Sequence, residues 1–293
     1  MIAADALPNR RVEGWRWSDL SAALAGREVP IIPGDRHVLA RIAIGARRMG
    51  GIVVNAGESR TDIERVGDDG LDTRALEIDV REGASLSLVT IQQEGDVSLA
   101  HRKVRLGKGA TFRQFIIAGG ARYARIETEI DVAGPSAKVE LNGVYLVGQG
   151  NHADLTSQVI LNADHTEVRQ IVRGAARKGG RGVFQGRFKV ERVAQKTDAK
   201  MEHNALLLED GAEVFAKPEL EIYADDVQCA HGNTSGQLDE AAIFYLRQRG
   251  LPEIEARAMI TRAFLIEALP DWLDEAIRTE AEARIDSWLG VAS

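Results

Sequence analysis

A small-residue turn followed by an apolar strand residue recurs along the middle of this chain. Copies stand at Gly83-Ala84 with Leu86, Gly109-Ala110 with Phe112 and Ser136-Ala137 with Val139, with a later one at Gly211-Ala212 with Val214. The first intervals are 26 and 27 residues. A period of that length marks stacked-coil architectures, because each coil buries its inner face only against the next. Between the turns, apolar residues fall on alternate positions, as in Leu76-Ile78-Val80, Ile126-Thr128-Ile130-Val132 and Leu220-Ile222, which is the strand period. Few helical segments separate the strands, which argues against a doubly wound α/β sheet. A parallel β-helix and an antiparallel sandwich both fit, and the pattern alone leaves that choice open.

Three zones follow from the pattern. Residues 1–35 form a short mixed segment with the phrase GWRWSDL (14–20), closed by Pro30 and Pro33. Residues 36–236 are the β zone, and residues 237–293 are expected to form a helical domain. Its first helix starts at Asp239-Glu240 and stops at Gly250. The second runs from Pro252 to about Leu269, and the third from Pro270-Asp271 to about Leu289-Gly290. The second helix has two apolar stripes: Ala256, Met259, Ile260, Ala263 and Phe264 on one side, Ile254, Ala258, Leu265 and Leu269 on the other. Such a helix must be covered twice, by neighbouring helices on both sides or by a partner protein on one.

Composition removes several functions. With 37 Lys+Arg against 44 Asp+Glu, the chain carries a formal charge of −7, without the basic clustering of a nucleic-acid binder. No apolar run approaches the roughly 18 residues of a membrane span, and the start MIAADALPNRRVEGW lacks a secretory pattern. The expectation is a soluble, cytoplasmic protein. Cys229 is the single cysteine, which excludes an intrachain disulfide and a structural Cys₂His₂ or Cys₄ zinc site.

The densest polar phrase is KPELEIYADDVQCAHGNTSGQLDE, residues 217–240, joining the last strand to the first helix. Cys229 and His231 are two apart, so an extended strand points both to one side, roughly 6.5 to 7 Å apart. A thiolate and an imidazole together suit iron, copper or zinc; the plainer alternative is a small buried hydrophobe beside a hydrogen-bonded histidine. A conventional cluster takes about four thiolates, so a chain with one thiol needs another molecule to complete it. The same separation places the imidazole too far from the sulfur for cysteine-protease chemistry.

Other candidates are weaker. The basic, glycine-rich RGAARKGGRGVFQGR (173–187) departs from the phosphate-loop pattern and is expected to be a flexible, solvated turn. His37, His101, His152, His165 and His203 show no metal-ligand spacing and are expected to be surface or core residues. Asp225-Asp226 invites a carbohydrate lyase or hydrolase reading, but adjacent strand residues face opposite ways. Trp15 and Trp17 are expected to pack the amino-terminal segment onto the body.

The 217–240 phrase resembles the SufB/SufD family of iron–sulfur cluster assembly proteins. The likeness rests on Lys217-Pro218, Leu220-Glu221-Ile222, Asp226-Val227, Cys229-Ala230-His231-Gly232, Thr234 and Gly236-Gln237-Leu238-Asp239-Glu240. It continues through Phe244-Tyr245-Leu246, Arg249-Gly250-Leu251 and the helix AMITRAFLIEAL (258–269), with a modest echo at Trp15-Arg16-Trp17-Ser18-Asp19-Leu20. The pattern is closest to the SufD branch: Leu208-Glu209-Asp210-Gly211-Ala212 lacks the extra cysteine of SufB, and Cys-x-His-Gly is SufD-like. Ala230 and Asn233 replace a commoner Ser and Ala, and the chain is short for the branch, as if most of an amino-terminal helical domain were missing.

The resemblance implies a mainly β fold, a right-handed parallel β-helix followed by a C-terminal α-helical domain. It implies a non-catalytic scaffold with no stably bound cofactor of its own. Cys229 and His231 would offer transient ligands to a cluster at the seam with a SufB-like partner. The helices, through Ile254, Ala258, Leu265 and Leu269, would receive a SufC-like ATPase. A homodimer pairing through the same seam, and a β-helix carbohydrate enzyme, are the alternatives; no membrane or nucleic-acid partner is expected.

Overall fold

The computed structural model describes residues 7–290 and decides the open choice in favour of stacked coils. Strands β1 (Met49–Val54) to β14 (Gln228–Gly236) alternate between two seven-stranded parallel sheets, odd-numbered strands in one and even-numbered in the other. Each turn of the solenoid contributes one strand to each sheet, in unbroken sequence order. The inner rows stand in register: Leu86, Phe112, Val139, Val168 and Ala199 line up across five coils, and all are buried.

The repeat has a backbone cause. Each of the first six turns from an odd to an even strand holds one residue in the left-handed region: Gly57, Gly83, Gly109, Ser136, His165 and Lys196. From Gly83 onward its N–H donates to a carbonyl of the next coil, reaching Lys108, Pro135, Asp164, Gln195 and Asp226 at 2.7–3.0 Å. This ladder overrides the steric penalty at the three non-glycine positions. The true continuations of the repeat are thus His165-Thr166 and Lys196-Thr197. Gly211-Ala212, expected as a further copy, lies in the opposite turn, where Gly179 N–H donates to Gly211 O at 3.0 Å.

Segment 173–187 is likewise not a flexible loop. It spans the end of β10 (Glu167–Ala176), a four-residue turn and most of β11 (Arg181–Val190). Two of its glycines make a slot. A Cβ at Gly174 would sit 1.9 Å, and one at Gly182 2.2 Å, from the Tyr145 ring, which fills the interior between them.

The outer face of each sheet carries an apolar patch, Val97, Leu99 and Tyr123 on the odd sheet and Val89, Ile91, Phe115 and Val144 on the even one, and each patch has a cover. Over the odd sheet lies the amino-terminal segment, with α1 (Leu20–Ala23) and α2 (Val38–Gly45). Its Leu20, Leu24, Leu39 and Ile42 pack with Val97, Leu99 and Tyr123. Trp15 is buried there beneath the Arg125 guanidinium, 3.8 Å from the ring centre, and Trp17 stacks on Phe215.

The even sheet is covered by α4 (Glu253–Ile266) and α5 (Glu275–Leu289), with Leu265, Leu269, Ile277, Ile285 and Leu289 against Val89, Ile91, Phe115 and Val144. The helix α5 begins later than Pro270-Asp271. Asp274 is its N-cap, accepting from Ile277 N–H at 2.8 Å, while Pro270–Leu273 form a turn. Among the described residues no helix is long and apolar enough to cross a membrane.

Candidate functional site

The final coil consists of β13 (Glu213–Ile222) and β14. Among the described residues each has one neighbour: β13 pairs only with β11, and β14 only with β12 (Asp198–Leu207). Both sheets therefore end, at the same face of the molecule, in an edge with unpaired backbone groups. Val214, Ala216, Leu220, Val227 and Cys229 pack on the core from one side only and stay partly exposed.

Register fixes which side chains line this end. Cys229, His231, Asn233 and Ser235 stand opposite Ala199, Met201, His203 and Ala205, all inward residues, so they continue the interior row at the point where it meets solvent. The strand thus brings Cys229 and His231 to one face, as the alternation requires. Cys229 is half-buried and His231 exposed. Burial pushes the Cys229 thiol above its ordinary range, against the lowering effect of the Ala199 backbone amide. The thiol is therefore neutral at physiological pH, and a bound metal must displace its proton.

Asn233 is a finding the sequence did not suggest. Its Oδ1 accepts from His203 Nδ1 at 2.7 Å, and His203 Nε2 accepts from the Tyr145 hydroxyl at 2.9 Å. His203 stacks on Phe184 and is fully buried, and burial depresses its pKa to about 4. A neutral, Nδ1-protonated imidazole thus ties the last coil to Tyr145, three coils back in the interior.

The opposite end differs. The first even strand, β2 (Ser59–Val66), carries Arg60, Asp62 and Glu64 on its inward row, opposite Leu86, Leu88 and Thr90. Arg60 pairs with Asp62 at 2.8 Å, and Glu64 with the buried Arg102 at 2.7 Å. Charges pointing along a core row blunt an edge against strand addition. The end bearing Cys229 has no such guard.

The four positions expected to meet an ATPase separate. Ala258, Leu265 and Leu269 are buried in the cluster shared by α4, α5 and the even sheet, whereas Ile254 is 82% exposed. The opposite stripe is covered by α3 (Glu240–Gln248), through Ala256 and Ile260 against Ile243 and Leu246. Apart from the exposed Ile254 and Met259, the two-sided helix is covered on both sides by its own chain, so Ala258, Leu265 and Leu269 are corrected from an open stripe to internal packing. The apolar groups left open on α3 and α4 are Phe244, Tyr245, Ile254 and Met259.

A second polar constellation lies away from this end. His37 and His101, expected to be ordinary surface or core residues, stack with ring centres 4.5 Å apart and face Glu127 and Glu129. The signal was the repeat itself, since His101 and Glu127 are one period apart and stand in register.

Comparison with known proteins bears on the whole chain. Residues 47–264 match the family model described as SUF system FeS cluster assembly, SufBD core domain. The chain is 35% identical over 211 residues to the iron-sulfur cluster assembly protein SufD of Escherichia coli, covering 71% of this chain and 50% of that protein. It is 31% identical over 218 residues to protein ABCI7, chloroplastic, of Arabidopsis thaliana, covering 73% and 46%. An iron-sulfur cluster assembly SufBD family protein of Mycobacterium tuberculosis is 26% identical over 306 residues, covering 97% and 76%. The chain thus spans about half the length of the first two relatives.

Proposed function

The chain belongs to the SufBD family of iron–sulfur cluster assembly proteins, and on that premise we propose that it is a SufD-like, non-catalytic scaffold subunit. The observation that carries this is the open final coil: two unpaired edges side by side, with a lone thiol and an imidazole on the row between them. A SufB-like partner adds its own edge strands there, satisfying the free N–H and C=O groups of β13 and β14. The pairing also supplies the ligands that a single thiol lacks. A nascent cluster is the cargo of this seam; Cys229 and His231 contribute one sulfur and one nitrogen, and metal binding displaces the thiol proton.

A SufC-like ATPase docks on the open surface of α3 and α4, where Phe244 is 63% and Ile254 82% exposed. Because α4 also packs on the even sheet through Leu265, movement of the docked ATPase transmits strain to the solenoid and its seam.

The test is co-expression of this chain with a SufB-like and a SufC-like protein, followed by native mass measurement. A complex containing one copy of this chain paired with one SufB-like chain is expected. Exclusive pairing of the chain with a second copy of itself would replace the heterodimer with a homodimeric scaffold. Retention of a four-iron centre by the isolated chain would overturn the shared-site reading.

A further inference from the structure

We propose that His37, His101, Glu127 and Glu129 form a site for one divalent first-row transition-metal ion on the outer face of the odd sheet. Three elements build it. Glu127 and Glu129 alternate along β7 (Ala121–Val132) and so share a face; His101 lies on the neighbouring β5 (Gly95–Leu106), opposite Glu127; His37 is the N-cap of α2, which packs on β5, and its ring reaches Glu127 on β7.

The separations fit an ion better than two direct pairs. His37 Nε2 lies 3.3 Å from Glu127 Oε1, and His101 Nε2 lies 3.4 Å from Glu129 Oε1. Ligand atoms bound tetrahedrally at about 2.0–2.1 Å stand about 3.3–3.4 Å from one another. One ligand atom each from His37, Glu127 and Glu129 fall within 4.8 Å of one another. His101 is 4% exposed, yet its Nε2, 3.4 Å from Glu129 Oε1, makes no aligned hydrogen bond among the described residues, a costly arrangement that a shared cation resolves.

The surroundings prepare the carboxylates. Glu127 Oε2 accepts from Arg125 Nε at 3.0 Å and Nη2 at 2.8 Å, which orients Oε1 toward His37, as outer-shell partners do for metal ligands. Glu129 has only imidazole partners among the described residues. Burial opposes the charge on Glu127, but Arg125 and His37 outweigh it and keep the group ionised; the His101 imidazole lowers Glu129 in the same sense. A cleft of about 160 Å³, bordered by Arg36, Lys103 and Glu129, gives an ion access from solvent.

Two imidazole nitrogens with two carboxylate oxygens suit zinc, iron(II) or cobalt(II) rather than magnesium or calcium. Loading moves the His37 proton from Nε2 to Nδ1 and gives up the long 3.3 Å contact from Leu39 N–H. It also requires one of the parallel rings to turn so that both lone pairs meet the ion. The site is independent of the function proposed above: β7 is three strands from β13 in its sheet, roughly 14 Å along the stack.

The experiment is titration of the metal-stripped full chain with Co²⁺, followed by visible absorption, with Zn²⁺ as competitor. One equivalent of Co²⁺ with a tetrahedral spectrum, displaced by Zn²⁺, is expected. Glu129→Gln and His101→Gln each weaken binding at least tenfold, while Cys229→Ser and His231→Ala leave it unchanged. Glu129→Gln removes a part-exposed charge without changing shape, so it remains informative if the buried His101→Gln variant unfolds. Absence of stoichiometric uptake, or uptake that depends on Cys229 and not on Glu129, overturns the proposal.

Discussion

Cys229 of β14 stands in register with Ala199 of β12, at the end of a core row that begins at Leu86. The sulfur is thus the last member of a hydrophobic stack and the first left half-covered. Packing explains its burial; only its place at an unpaired edge connects it to the proposed partner. His231, two residues on, is exposed and has no packing role to lose. Replacing His231 with Ala is expected to shift unfolding free energy by no more than about 0.5 kcal/mol. Iron and sulfide in the co-purified complex should fall at the same time. Equal cluster content in the variant complex would remove His231 from the ligand set.

The interior histidine sets a pH dependence. His203 has a pKa of about 4 in the folded chain, lowered by burial, against an ordinary value near 6.5. Between those two pH values the unfolded chain holds a proton that the folded one does not. Stability therefore declines as pH falls from about 6.5 toward about 4, by up to roughly 1.4 kcal/mol per pH unit, and the contribution is constant outside that window. His152, also lowered by burial to about 3, adds to the same slope. Urea midpoints at pH 7 and pH 4.5 should differ less in His203→Gln than in the parent chain. An unchanged difference would show that His203 does not take up its proton on unfolding.

Tyr145 depends on the absence of side chains around it. Gly174 is its register partner on β10, and a methyl group there would enter the ring. Gly174→Ala is expected to destabilise the chain by about 1–3 kcal/mol through overpacking, with Tyr145 displaced and its hydroxyl pulled from His203. The change should appear in the urea midpoint and in the near-ultraviolet tyrosine signal. A neutral effect would mean that the interior has room the packing does not show.

What the sequence revealed, and what it hid, follows from which interactions are periodic. Alternation and the Gly83 and Gly109 turns were visible because glycine marks left-handed backbone directly. The same turn at His165 and Lys196 was hidden because inter-coil hydrogen bonds, not residue type, hold it open. Cys229 and His231 were legible as a pair because two-residue spacing on a strand fixes their common face. Asn233 was not, since its partner His203 lies one coil earlier and only the register joins them. Gly174 and Gly182 suggested a loop because a glycine that makes room for a distant tyrosine looks the same in sequence as one that makes a turn.

The helix α4 separates packing from docking. Leu265 is fully buried between α5 and the even sheet, and Ile254, eleven residues earlier, projects into solvent. Leu265→Ala leaves a cavity in that layer and is expected to cost about 2–5 kcal/mol in urea unfolding. Any loss of ATPase binding in that variant should track the unfolded fraction. Ile254→Asp places a charge on an exposed turn and should leave the urea midpoint within about 0.5 kcal/mol of the parent. Its effect falls on the proposed interface: there an apolar anchor would become a desolvated charge, and affinity for a SufC-like protein is expected to drop at least tenfold by titration calorimetry, about 1.4 kcal/mol. Undiminished affinity in Ile254→Asp, with the chain folded, would move the docking surface off the start of α4 and onto the neighbouring Phe244 and Tyr245 of α3.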